Sequence, residues 1–482
     1  MSISQQIERR RKCYMKIAKA ILLILAVFLL QSCNSGSSSP QSTGEIDLTS
    51  GKLGYSGGFV DLDGDGLQDL VVGAPDASAS PTKGAVLAYY NSPNGYSTSR
   101  IWEITGEEEG ENLGFSFANV GDVDGDGYDD FAVGALHAVG EAPLSGAAYI
   151  YRGGQDMPVL LARLRGNLPL DKFGYRVAGG DLNNDGKSDV IVSAIYENGE
   201  VYQSGTVSIF FGGATLGATP DIVISGNVIN GGMGFALATG DINGDNIADL
   251  FVGHENSVLI YYGGIDIADR LALDQTADVH IIGKSQGGGP HSGYGFGDAL
   301  AFMGDVNNDG FGDLAISNWR SSGPDSSDYK GSVYIFKGAA DLPHEFYESD
   351  LPRRLAKIVG GAEADTFGAS LTVTGDINKG GVADLLVGAP WATGGTNGDV
   401  KVSGKVYLFY TEELLAGPLD ELDTTWAART YSADTASGEF SKTLIANTNG
   451  YFLAGAPFAD KNKGKAFLFE AATGDSMQLA AE

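Results

Sequence analysis

Short apolar runs, each closed by a triplet that opens on Gly or Ser, punctuate this chain. Leu70-Val71-Val72 precedes Gly73-Ala74-Pro75, Phe131-Ala132-Val133 precedes Gly134-Ala135-Leu136, Val190-Ile191-Val192 precedes Ser193-Ala194-Ile195, and Leu250-Phe251-Val252 precedes Gly253-His254-Glu255. The triplet position recurs at Ser317-Asn318-Trp319, Gly388-Ala389-Pro390 and Gly455-Ala456-Pro457, so the unit occurs seven times. Runs of this length, rich in β-branched residues and stopped by glycine, are buried strands rather than helices. After each comes a variable loop and another strand: Ala85–Tyr90, Ala147–Tyr151, Thr206–Phe211, Ser257–Tyr262, Ser332–Phe336, Lys405–Phe409 and Lys465–Phe469. A further short element follows, as in Trp102–Gly106 or His280–Gly283. Four short strands repeated seven times predict an all-β fold, a seven-bladed β-propeller of four-stranded antiparallel blades. Glu45–Thr49 reads like a fourth strand placed before the first repeat, and is expected to complete the last blade. Met477-Gln478-Leu479 is the alternative closing strand.

Ahead of each apolar run stands an acidic loop with the grammar Asp-x-Asp/Asn-x-Asp-Gly-x-x-Asp. Side-chain oxygens at positions 1, 3, 5 and 9 and a backbone carbonyl at position 7 make a hard, oxygen-only shell suited to calcium, and glycine at position 6 permits the tight turn. The first loop offers Asp61, Asp63, Asp65 and Asp69 with the Leu67 carbonyl; the second offers Asp122, Asp124, Asp126 and Asp130 with that of Tyr128. The third uses Asp181, Asn183, Asp185, Lys187 and Asp189, the fourth Asp241, Asn243, Asp245, Ile247 and Asp249, and the fifth Asp305, Asn307, Asp309, Phe311 and Asp313. An EF-hand would need a bidentate Glu at position 12. Val72, Val133, Val192, Val252, Ile316 and Val387 stand there instead, so each loop is the turn of a β-hairpin. Three or four carboxylates in one turn repel one another without a cation, and about five calcium ions are expected. The sixth loop keeps Asp376, Asn378 and Asp384, but has Gly380 at position 5 and Lys379 inside the turn, and is read as a weak site. The seventh, Asn447-Thr448-Asn449-Gly450, has no acid and is a plain turn.

Leu53-Gly54, Leu113-Gly114, Phe173-Gly174, Met233-Gly234, Phe296-Gly297 and Phe367-Gly368 open the repeats. Together with the acidic loops and the Gly-Ala-Pro exits, they resemble the FG-GAP repeats that form the seven-bladed propeller of integrin α-subunits. The resemblance covers residues 46–482. It departs from the family in placing intact loops in the first five repeats, where integrins cluster them in later blades, and in having no leg domains. It implies a binding function, with partners meeting the face opposite the calcium loops. Similar repeats also flank the catalytic domain of a phospholipase D, but no such catalytic domain is recognisable here.

Residues 1–32 read as a lipoprotein signal peptide. Lys16 and Lys19 precede the apolar stretch from Ile21 to Leu30, which has signal-peptide length and is too short for an anchoring span. Leu30-Gln31-Ser32-Cys33 resembles a bacterial lipobox, with Cys33 as the acylated first mature residue; an ordinary secretory signal with an incidental cysteine is the alternative. Met15 directly precedes the signal and is a second candidate start. Residues 33–45 form a Gly/Ser-rich tether. The expected address is the bacterial cell envelope, on the outer membrane or cell surface, with the lipid bilayer as one partner.

The formal net charge is −30, and seventeen of the acids are aspartates at the ligand positions of the five intact loops. Nucleic acid and anionic headgroups both demand a basic footprint, so neither is expected as a ligand. With Cys33 acylated, Cys13 has no mate, and no disulfide is expected. None of the five histidines stands in a metal-ligand or catalytic spacing, and no Gly-x-Ser-x-Gly elbow occurs, so no catalytic residue is assigned. Binding is the expected function, with a channel enzyme and a structural envelope scaffold as alternatives. A protein or glycan partner is expected to dock opposite the calcium loops on His137, Tyr196, Trp319, Trp391 and Phe458, which stand at or just after five of the exits. The competing reading is that these rings pack between blades.

Overall fold

The computed structural model describes residues 51–478 apart from 78–82, 94, 98–101, 155–156, 284–294, 322–329, 362–364, 393–403, 419–421, 433–438 and 475. The signal peptide, Cys33, the tether and the strand expected at Glu45–Thr49 lie outside the described residues. No helix among the described residues is long and apolar enough to cross a membrane.

Residues 46–482 are one compact unit, and their strands form seven antiparallel blades. Blade 1 runs Ser56–Val60, Asp69–Ala74, Ala85–Tyr89, Trp102–Thr105, and each strand pairs with the next. The first strand of every blade touches the first strands of the blades on either side, and that of blade 7, Thr443–Ala446, touches that of blade 1. The first strands therefore line the axis. The second strands, sandwiched between neighbouring blades, are buried along their whole length in blades 1 to 6. Burial on both faces is why they read as unbroken apolar runs rather than as an alternation.

Among the described residues, two blades exceed four strands. Glu345–Tyr347 adds in parallel to Val279–Ile282 at the rim of blade 4, and Leu422–Asp423 does the same to Arg354–Val359 of blade 5. Both come from the connection between the third and fourth strands of the following blade, and each covers an otherwise open edge.

The two glycine motifs are the joint between blades. A methyl group on Gly73 would strike the Gly114 carbonyl of the next blade, and one on Gly253 would strike that of Gly297. Gly455 meets the Gly54 carbonyl in the same way, so blade 7 joins blade 1 by the contact used elsewhere around the ring. The Leu53–Gly464 bridge repeats those of Leu113 with Gly84 and Phe173 with Gly146. Leu453, Ala466 and Leu468 of blade 7 share an apolar cluster with Leu53, Phe59 and Leu70 of blade 1. The outer strand of blade 7 is Ser476–Gln478, paired with Lys465–Glu470. This corrects the expected closure by the N-terminal segment: the C-terminal alternative supplies the fourth strand, and side-to-side packing closes the ring.

Candidate functional site

Six loops connect first to second strands at one end of the ring, and their backbones are folded alike. The position-1 carboxylate accepts the position-6 N–H in every case: Gly66 to Asp61 at 2.9 Å, Gly127 to Asp122 at 2.9 Å, Gly186 to Asp181 at 2.9 Å, Asn246 to Asp241 at 2.7 Å, Gly310 to Asp305 at 2.8 Å and Gly381 to Asp376 at 2.8 Å. Position 9 is fully buried in all six loops. One oxygen of Asp189 accepts the Leu182 N–H at 2.9 Å, and the other accepts that of Gly212, after the third strand, at 3.0 Å. Asp69, Asp130, Asp249, Asp313 and Asp384 make the equivalent pair of bonds. Each bond takes one lone pair and leaves another on the same oxygen.

The electrostatics fit a cation. Burial, opposed by these N–H bonds, pushes Asp69, Asp189, Asp249 and Asp313 up to about 7, and Asp130 and Asp384 to about 6. Desolvation and then the like charges of Asp65 and Asp61 also raise Asp63. Oxygens of Asp61, Asp63 and Asp65, and of Asp122, Asp124 and Asp130, lie within 4.8 Å of one another and could hold a metal ion. The donor set is all hard oxygen, as calcium prefers. In the second loop the Arg152 guanidinium pairs with Asp124 and lies 3.4 Å from Asp126, partly offsetting the charge there.

At the other end, the residue after each opening glycine stands at the channel mouth. Tyr55, Phe115, Tyr175 and Phe235 form a continuous arc across blades 1 to 4, with ring centroids 5.0, 5.5 and 5.9 Å apart. All four are partly exposed. In blade 5 the equivalent residue is Asp298, which accepts the Trp319 indole N–H at 2.6 Å. Burial raises its carboxyl, while Trp319, Arg320 and Arg176 pull it down. Arg176 stacks on Tyr175 and Arg320 on Trp319.

The FG-GAP repeat model matches residues 53–89, 113–151 and 173–210. The chain is 38% identical over 165 residues to integrin alpha-4 of Xenopus laevis, spanning 31% of this chain and 15% of that one. It is 32% identical over 219 residues to integrin alpha-V of Gallus gallus, spanning 42% and 20%. The chain carries an integrin-α-like β-propeller, and its first three blades match the FG-GAP repeat. It spans no more than about a fifth of the length of these relatives. Among solved structures, Sqt1 from Chaetomium thermophilum superposes with a TM-score of 0.49 at 12% identity, over 86% of this chain and 96% of that one.

On this propeller the five residues expected to meet a partner stand one to a blade. Tyr196 and Trp391 are exposed, at 44% and 50%. Trp319 is half-buried against Asp298, His137 is half-buried against Asn112, and Phe458 lies beneath the Lys52 ammonium. The sequence reading missed the mouth arc, although its signal was present: an aromatic follows the opening glycine in each of the first four repeats. Arg152 was missed because nothing in the loop motif points to the end of the third strand. A cavity of about 300 Å³ near the axis, between the first strands of blades 1, 2, 6 and 7, is lined by Phe59, Phe117, Val373, Asn119 and Asn447 among others, and no ionisable side chain lines it.

Proposed function

We propose that the protein is a calcium-stabilised, surface-anchored binding or adhesion module, whose FG-GAP propeller recognises a protein or glycan partner through the face opposite the acidic loops. The observation that carries this reading is the arc of Tyr55, Phe115, Tyr175 and Phe235 at the channel mouth, continued by Asp298 and Trp319. Rigid, partly exposed rings with hydrogen-bonding groups beside them suit hot spots, and the ring of first strands holds them in place.

At the opposite end, the side chains of Asp61, Asp63, Asp65 and Asp69, and their counterparts in the next four loops, would hold calcium. When bound, the ion supplies the positive charge that crowded carboxylates need. The chain's own N–H groups orient those carboxylates. This role is structural, and no reaction is assigned. Cys33, as an acylated residue, would tether the propeller to the bacterial envelope; Cys33→Ser should then release the protein into soluble fractions, and an unchanged membrane fraction would count against the anchor.

The test is a pull-down from envelope extracts and a glycan array with full-length protein, with calcium and with EGTA. The reading expects a partner captured in calcium and lost both in EGTA and in a Phe115→Ala, Tyr175→Ala variant. Capture unaffected by either change would overturn it.

A further inference from the structure

We propose that Glu412 supplies the oxygen that the sixth acidic loop lacks, so that this loop, too, is a calcium site. The inference rests on the calcium reading of the other five. By its own sequence the sixth loop is deficient, because Gly380 stands where the others carry an aspartate. Its backbone is nevertheless folded to the same template. The Gly380 N–H donates to Asp376 at 2.8 Å and to Asn378 at 3.0 Å, the Gly381 N–H donates to Asp376, and Asp384 accepts from Ile377 at 2.8 Å and Thr411 at 3.1 Å. In the fourth loop, Asp245, Asn246, Ile242 and Gly263 donate to Asp241, Asn243 and Asp249 in the same pattern. Only the position-5 carboxylate is missing.

The space for that carboxylate is filled from elsewhere. A methyl group built on Gly380 would collide with the carboxyl carbon and both oxygens of Glu412. Glu412 belongs to the short helix Thr411–Ala416, whose first residue is bonded to Asp384 of the loop itself. Its Oε1 accepts a hydrogen bond from the Asn378 side chain, and its Oε2 is buried with no hydrogen-bond partner. A buried carboxylate oxygen left without a donor is costly, and a cation at the loop centre would satisfy it. The resulting set of Asp376, Asn378, Glu412 and Asp384, with the Val382 carbonyl, has the same three carboxylates and one amide as the third, fourth and fifth loops. Glutamate's extra methylene lets it serve from outside the turn.

Calcium bound per full-length chain, counted by native mass spectrometry and equilibrium dialysis, tests this. Glu412→Gln keeps the shape and should bind one ion fewer than the wild type, as should Asp376→Asn. Moving the carboxylate back into the loop, with Gly380→Asp and Glu412→Ala together, should restore the missing ion. Melting in EGTA checks that each variant is folded. If Glu412→Gln retains the wild-type count, the inference is overturned while the other loops stand. If the wild type takes up no calcium, the reading of all six loops falls instead.

Discussion

The ring of Tyr128, in the second acidic loop, lies over the α-carbon of Gly64 in the first: a methyl group on Gly64 would come within 2.5 Å of Cε1. The residue whose carbonyl is assigned to one ion thus packs its side chain on the neighbouring loop. Phe311 covers Gly244 in the same way, and the Lys187 chain covers Gly125. Gly64 and Gly66 both have positive φ, +74° and +84°, but Gly66 faces open space. Gly66→Ala should therefore cost only backbone strain, about 1–2 kcal/mol, and Gly64→Ala distinctly more. In a Gly64→Ala, Tyr128→Ala double variant the two costs should fall short of additive, because the second change removes the collision. Denaturant melts of the four proteins measure this, and strict additivity would contradict the contact.

Calcium removal should interact with pH in an unusual direction. The position-9 aspartates are raised to about 6 or 7 in the folded state, against about 3.9 unfolded. Between those values the native state holds more protons, so metal-free stability is greatest at the acid end and is lost as pH rises through 7. In EGTA the melting temperature should rise on going from pH 7.5 to 5.5, and the increment added by calcium should be larger at pH 7.5. An EGTA midpoint that falls on acidification would refute this.

Asp189 ties two turns to one carboxylate, through Leu182 and Gly212. Asp189→Ala leaves the buried Leu182 N–H and the part-buried Gly212 N–H without acceptors, at up to about 1–3 kcal/mol each. It should destabilise the protein even in EGTA, where any lost ion is irrelevant. A variant that melts like the wild type in EGTA would leave Asp189 with an ionic role alone.

His254 carries the opposite pH sign. It is buried, its Nε2 has no hydrogen-bond partner, and desolvation lowers it to about 4. Its contribution is intact above the unfolded value of about 6.5 and is lost as pH falls toward 4. Relative to wild type, His254→Gln should gain about 2 kcal/mol on going from pH 7.5 to 5. Parallel pH profiles for the two proteins would show that His254 does not titrate in this way.

Trp319 and Trp391 separate two kinds of contact. Trp391 is half exposed, whereas Trp319 is held by Asp298. Trp391→Ala should leave melting unchanged and weaken partner binding. Trp319→Phe, which removes the bond to Asp298, should alter binding and cost about 1 kcal/mol or more of stability. Loss of the calcium-dependent transition in Trp391→Ala would return that ring to a packing role.

The sequence by itself determined the blade count, the strand order and the acidic loops, because each depends on contacts repeated within a single blade. An apolar run between a tight turn and a glycine has one stable fate, a strand buried on both faces, and seven such runs need a ring. The ring's closure was decided by tertiary structure. Glu45–Thr49 reads as the closing strand and Met477-Gln478-Leu479 as its alternative, and the Gly455–Gly54 contact that closes the ring joins residues at opposite ends of the chain. The mouth arc lay in the sequence as an aromatic after each opening glycine, but only the approach of the first strands about the axis makes Tyr55, Phe115, Tyr175 and Phe235 one surface. Gly380 read as a missing ligand because the motif records what a loop brings to itself. Glu412 comes from a helix two strands later, and the seating of that helix on Asp384, which the loop motif does not encode, puts its carboxylate in the gap.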